Sequence, residues 1–169
     1  RTVFNLLGPL TNPAGAARQI IGVSDPTVGA LMAETLGRLG SERALVVHGD
    51  DGLDEITIST SSTVWDLEAG HVKTYQIKPQ DFGFSISPLE HIKADNAVES
   101  AALIRTVLDG VRSPARDVVL LNAGASLFVA GMSDKFDECI SIGADAIDSG
   151  KAMKSLDDYI KLSNSIATE

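Results

Sequence analysis

The 169 residues are 44% apolar but only 5% aromatic, so one domain's core can form and must be built from Val, Ile, Leu and Ala, as in an α/β fold. Lys and Arg total 14 against 23 Asp and Glu, and the net charge of −9 repels nucleic acid and anionic lipid; a phosphorylated substrate would need a cation or a local basic pocket. A lone cysteine, Cys139, excludes an internal disulfide and fits a reducing cytosol, while the absence of a long apolar run or a signal-peptide pattern predicts a soluble, cytoplasmic protein.

The chain opens at Arg1, without a methionine, directly into dense sequence (RTVFNLLGPLTNP), and reads as a piece of a longer protein cut just upstream. Residues 3 to 7 are apolar enough to pack. Gly8, Pro9, Asn12 and Pro13 then fix turns and deny the backbone donors that a helix needs. A short β-type run at Gln19 to Val23 is followed by Ser24-Asp25-Pro26, a helix start with proline in the first turn. Val28, Leu31, Met32, Thr35, Leu36 and Leu39 keep helical spacing over 27–39, Gly40 ends that helix, and Ala44 to Val47 is the next strand. Strand, helix and strand in this order predict a parallel βαβ unit.

Past Ile56 the sequence alternates, and Glu68-Ala69-Gly70 predicts the turn of a hairpin from about Thr63 to Ile77. Residues 78–88 read as a loop, whose D-F-G at Asp81 to Gly83 lacks kinase surroundings and is set aside as chance. The remainder reads as helical. Asp95 is placed to cap a helix running to Asp109 and stopped by Gly110. Residues 117–130 are apolar on nearly every side, and their length and alanine content favour helix over strand. Two amphipathic helices follow at about 134–148 and 151–166, with no repeat or linker to suggest a second domain.

The stretch HGDDGLDEI, His48 to Ile56, places four acids around Gly52 at the end of a strand, where open α/β sheets position ligands. Oxygen-seeking cations such as Mg²⁺ take one or two carboxylates, with water and phosphate completing the shell. In extended geometry, however, Asp54 and Glu55 would point to opposite faces. Either the backbone bends at Gly52 or the two acids serve different ions; a solvated acidic turn is the plainer alternative. Arg1 could clamp a carboxylate through its planar fork, or be an ordinary surface arginine. Asn5, Asn12 and Asn122 read as partners of turns or backbone rather than as ligand contacts. His48, His71 and His91 share no metal spacing with one another or with Cys139, and only His48 adjoins the acidic turn. Cys139 reads as packing, Trp65 as core or edge, and the glycines of NAGASLFVAG as a close helix approach. No GxxxxGK[ST], GxGxxG or GxSxG is present.

Taken together, RTVFNLLGPLTNPA at 1–14, HGDDGLDEI at 48–56, the DFG with its following helix, and LLNAGASLFVAG at 120–131 resemble the C-terminal half of anthranilate phosphoribosyltransferases. The nucleoside phosphorylases share that fold and are the nearest rivals. The resemblance implies an α/β domain with a mixed, mainly parallel central sheet flanked by helices, spanning 1–169. It implies transfer of a phosphoribosyl group from phosphoribosyl pyrophosphate to the amine of anthranilate, in tryptophan biosynthesis, with Mg²⁺ as cofactor. Residue by residue, Arg1 matches the arginine on the anthranilate carboxylate, and Asp54 and Glu55 match the acidic pair that binds Mg²⁺ at the pyrophosphate. The family's two metal ions would let each acid favour a different one. The glycine-rich G-T-G-G-D segment and the helical domain that carries the family's homodimer interface have no counterpart here. The chain alone is therefore expected to have little or no activity. The rival readings are a pyrimidine nucleoside phosphorylase-like enzyme, and a catalytically silent paralogue that binds nucleic acid, which the acidic balance disfavours.

Overall fold

A computed structural model describes residues 4–166. Four strands form one sheet in the order β1 (Arg18–Gly22), β2 (Arg43–Gly49), β3 (Ser62–Glu68) and β4 (His71–Ile77). The sheet is mixed and flanked by helices, as the sequence implies. The parallel majority does not extend to these four strands, because β1–β2 is parallel whereas β2–β3 and β3–β4 are antiparallel. The hairpin accounts for the β3–β4 pair. Glu68 pairs with His71, and the two residues between them, Ala69 and Gly70, take φ of 50° and 80°, the paired left-handed geometry of a tight two-residue turn.

Strand β2 is buried along its whole length, because both faces of the sheet are covered there. On one face Ala44, Val46, Trp65 and Leu67 meet Met32, Ala33 and Leu36 of α2 (Gly29–Arg38). The Trp65 ring lies so close to Gly29 that a Cβ there would fall 2.3 Å from it. On the other face Leu45, Val47 and Val64 pack with Ile56, Ile58 and the helices that close the chain. Each of these aliphatic side chains contributes about 1.5–3 kcal/mol by leaving water.

Those helices are α3 (Ala97–Leu108), α4 (Pro114–Ala130), α5 (Phe136–Asp148) and α6 (Lys151–Ile166). Residues 117–130 are helical as expected, and Gly124 brings α4 and α5 together: a Cβ there would stand 2.6 Å from Ile140 Cγ1. The other glycine of that motif, Gly131, ends α4 at φ 80°. Cys139 is buried in α5, where burial pushes its thiol pKa up, consistent with a packing role.

Two local expectations are corrected, and the helix start at Asp25-Pro26 is refined. The Gly8–Pro9 segment does not prevent a helix, since α1 (Phe4–Leu10) includes it. Pro9 forfeits a single donor near the end of this short helix, and Thr11 closes the last turn by donating its N–H and its hydroxyl to the Leu7 carbonyl. The cap of α3 is Asn96 rather than Asp95. Its side-chain oxygen accepts from the N–H groups of Val98 and Glu99, while Glu99 reaches back to the Asp95 N–H. The helix after β1 begins as a 3₁₀ turn, Pro26–Val28, with Asp25 accepting from the Thr27 N–H, and becomes α-helical at Gly29.

The base of α4 is fixed by a buried cation. Arg116 is fully buried and forms a two-point pair with Asp148 at 2.7 and 3.0 Å, together with a hydrogen bond to the Gly110 carbonyl. Hydrogen bonding to Arg116 holds the Asp148 carboxyl below its ordinary value of 3.8. Because the folded-state value is the lower one, the pair's stabilisation is fully present above that ordinary value and is lost as pH falls through the folded-state value. The urea midpoint should therefore fall on acidification below the aspartate range. In Asp148→Asn the midpoint should start lower at neutral pH and depend less on acid; equal acid dependence in the two proteins would refute this contribution.

Candidate functional site

Because β1 and β2 run parallel, both strands end on the same side of the sheet, and the acidic turn leaves β2 there. Gly49 permits the exit, since a Cβ on it would lie 2.7 Å from Asp51 Oδ1 and 3.1 Å from Thr57 Cβ. Gly52, at φ 95°, then folds the chain back. The Gly52 N–H donates to the Gly49 carbonyl, and the Gly49 N–H donates to the Leu53 carbonyl, each at 2.8 Å. Of the two possibilities left open by the sequence, the bend is realised: residues 50–56 leave the extended form, so strand alternation does not govern Asp54 and Glu55.

The four acids divide into two kinds. Asp50 accepts from Ser61 Oγ at 2.5 Å, Thr63 Oγ1 at 3.2 Å and Gln76 Nε2 at 3.1 Å. Asp51 accepts from Thr57 Oγ1 at 2.5 Å, from the Leu53 N–H at 3.1 Å and from the Ser59 hydroxyl. Partial burial pushes the Asp51 carboxyl up, but the bonds from Ser59, Thr57 and Leu53 outweigh it and leave the pKa below the ordinary value. These two acids hold the turn together. Asp54 and Glu55 are exposed, and neither carboxylate has a hydrogen-bond or ion-pair partner among the described residues.

Asp54 and Glu55 nevertheless stand on a fixed backbone. The Asp54 carbonyl rests over the end of β1, where a Cβ on Gly22 would fall 1.6 Å from its oxygen. Beyond Glu55, the Ile56 N–H donates to Asn122 Oδ1 at 3.0 Å, and Asn122 Nδ2 donates to the Ile56 carbonyl at 2.9 Å and to that of Val118 at 3.0 Å. Helix α4 is in turn tied to β1, because Arg18 Nη1 donates to the Val129 carbonyl at 2.9 Å. His48, buried in β2, donates its Nδ1–H to the Val23 carbonyl at 2.7 Å and so joins the two strand ends.

Two unengaged carboxylates suit a hard divalent cation that keeps most of its shell as water and substrate oxygen. No group of three or more His, Cys, Asp or Glu that could hold a metal occurs among the described residues, which distinguishes this turn from an all-protein metal cage. The segment Gly8–Pro13, the end of α1 and the turn after it, borders the same strand end: with Gln19–Gly22 it lines an open concavity. On the far side of the turn, Leu53 and Glu55 edge an apolar groove formed with Ile104 of α3 and Val119 of α4. Arg1, the expected carboxylate contact, lies outside the described residues.

The sequence offers Asn122 as a backbone partner and the four acids as an acidic turn, without identifying what Asn122 and Asp51 hold. The signal for Asp51 was the hydroxyl-rich run Thr57, Ser59, Thr60 and Ser61, which also fits an alternating strand. Asn122 had no local signal, because its partner is 66 positions away.

The chain belongs to the glycosyl transferase family, whose a/b domain model matches residues 1–153. Among particular relatives, it is 43% identical over 165 residues to the anthranilate phosphoribosyltransferase of Acetivibrio thermocellus, covering 98% of this chain and 48% of that protein. The crystal structure of anthranilate phosphoribosyltransferase from Thermus thermophilus superposes with a TM-score of 0.86 at 41% identity, over 95% of this chain and 47% of that one. The Saccharomyces cerevisiae enzyme in complex with PRPP and Mg gives 0.84 at 29% identity, covering 98% of this chain and 48% of that one. Its complex with 4-fluoroanthranilate gives 0.85 at 27% identity, with the same coverage. The chain thus spans about half the length of the curated relatives it matches.

The close approach at Gly22 supplies a test of the site's backbone. Gly22→Ala should displace the acidic turn and lower stability by about 1–3 kcal/mol in equilibrium urea unfolding. An unchanged midpoint would mean that the Asp54 carbonyl does not rest on β1.

Proposed function

We propose that this chain is the acid-bearing half of a phosphoribosyltransferase, which moves the phosphoribosyl group of phosphoribosyl pyrophosphate onto the amine of anthranilate and releases pyrophosphate. The observation that carries the reading is the division within HGDDGLDEI: Asp50 and Asp51 are occupied by hydroxyl and amide donors, while Asp54 and Glu55, at the end of a parallel strand pair, have no side-chain partner among the described residues. The similarity to anthranilate phosphoribosyltransferases supports both substrates, and the PRPP and Mg complex of the yeast enzyme supports the cation.

In this reaction the amine nitrogen forms a bond to the anomeric carbon of ribose as the carbon–oxygen bond to pyrophosphate breaks, and the amine gives up a proton. Positive charge builds on the sugar and negative charge on the leaving group. Asp54 and Glu55 would hold Mg²⁺, which when bound neutralises the departing pyrophosphate. The turn keeps those acids in place, so little reorganisation accompanies charge development. Arg1 would orient anthranilate through its carboxylate, directing the amine to the sugar carbon. No nucleophilic serine or cysteine is required, which agrees with a buried Cys139.

In this proposal the chain contributes the α/β domain from residue 1 to 169, and the other half of the full-length protein supplies the glycine-rich phosphate-binding segment and the helical dimer interface. The test uses the full-length transferase carrying Asp54→Asn and Glu55→Gln. kcat/KM at saturating Mg²⁺ should fall about a hundredfold or more, equivalent to several kcal/mol of charge stabilisation. Unchanged turnover and unchanged Mg²⁺ dependence would overturn the assignment. The 169-residue chain assayed alone should turn over far more slowly than the full-length protein.

A further inference from the structure

We propose that Asn122 is a positioning residue for Glu55, acting through the backbone rather than through the substrate. The inference rests on the reading of Asp54 and Glu55 as Mg²⁺ ligands. Two peptide planes flank the Glu55 Cα, and each is held by a different part of the fold. The plane containing the Asp54 carbonyl is wedged against Gly22 of β1, with no room for even a methyl group between them. The plane containing the Ile56 N–H is held by Asn122, which also grips the Ile56 carbonyl one unit further on. Rotation about both backbone bonds of Glu55 is thereby restricted, although its own side chain is exposed and has no partner among the described residues.

The chemistry of the asparagine amide makes it specific for this task. One oxygen and two N–H groups satisfy a donor and two acceptors at once, those of Ile56 and Val118. Aspartate keeps the acceptor and loses the donors, alanine loses all three bonds, and glutamine moves the amide outward by a methylene. The Ile56 side chain is 2% exposed, so the clamp also anchors the acidic turn to the core. Groups that orient a metal ligand without touching the metal typically affect metal affinity or activity 10- to 100-fold. Asn122 acts one peptide unit further away than most such groups, which places the expected effect near the lower end of that range.

The experiment measures Mn²⁺ binding to the full-length transferase in the presence of phosphoribosyl pyrophosphate, by electron paramagnetic resonance, alongside amide hydrogen exchange at Ile56. Asn122→Ala should speed exchange at Ile56 and weaken Mn²⁺ binding about tenfold. Ser126→Ala, one turn along α4 and exposed, should change neither. The Mg²⁺ concentration for half-maximal rate should rise in Asn122→Ala, with most of kcat recovered at saturating Mg²⁺. Asn122→Asp preserves the side-chain shape and is read in the same way if the alanine variant does not accumulate as folded protein. Faster exchange at Ile56 with Mn²⁺ affinity unchanged to within about twofold, while Glu55→Gln does weaken binding, would overturn the positioning role and leave the metal reading standing. Unchanged affinity in both Asn122→Ala and Glu55→Gln would overturn the metal reading and this inference with it.

Discussion

Two hydrogen bonds between the Asn122 amide and the backbone of Ile56 join the helical layer to the acidic turn, and the geometry of the site depends on them. Ile56 must be buried because its side chain fills the core between β2 and α4. Its backbone N–H and C=O enter the interior with it, where no ladder partner is available once β2 has ended at Gly49. An unpaired buried backbone group costs about 1–3 kcal/mol, so a side chain on α4 has to supply what a neighbouring strand otherwise would. The Asn122 amide presents the donor and acceptor that a strand backbone would present, and α4 is held at its correct height by Arg18 on Val129 and by Arg116 on Asp148. Local chain direction, core packing and helix placement are thereby coupled.

The same constraint explains why four acids within six residues form a defined structure rather than a mutually repelling loop. Asp50 and Asp51 each accept from several donors, most of them hydroxyls of the segment that leads from the turn into β3, so their charge is spread into the turn. The remaining charge stands on Asp54 and Glu55, with no basic side chain opposing it among the described residues. A net charge of −9 would oppose the approach of a pyrophosphate, and under the proposed function a divalent cation at Asp54 and Glu55 would reconcile an acidic protein with an anionic substrate.

The layering of the fold was legible because its signals are local. The apolar ALVV run of β2, the i, i+3, i+4 spacing of α2, and the Glu68-Ala69-Gly70 turn each reflect an interaction spanning a few residues. Errors arose where neighbours competed for one role. Asn96, not Asp95, reaches the free amides of α3, and Pro9 is tolerated where a short helix is already ending. At the site, the acids themselves could be read from HGDDGLDEI, but their division into occupied and free pairs could not. That division is made by Thr57 and Ser59 for Asp51 and by Ser61, Thr63 and Gln76 for Asp50, and the turn's backbone is fixed by Gly22 and Asn122, which lie far away in sequence. A glycine at the end of a strand and an asparagine inside a helix carry no pattern that reveals a tertiary contact. Family resemblance could point to Asp54 and Glu55, but it does not explain why they are held where they are.

The central claim is that the charge left free on this turn is the cation site of phosphoribosyl transfer. Its most direct test is an anomalous difference map, collected at the manganese absorption edge, from crystals of the full-length transferase with phosphoribosyl pyrophosphate and Mn²⁺. The account predicts Mn²⁺ density about 2.1 Å from carboxylate oxygens of Asp54 and Glu55, with Asp50 and Asp51 still bound to their hydroxyl donors. Density coordinated instead by Asp50 or Asp51, or absent from the turn altogether, would contradict it.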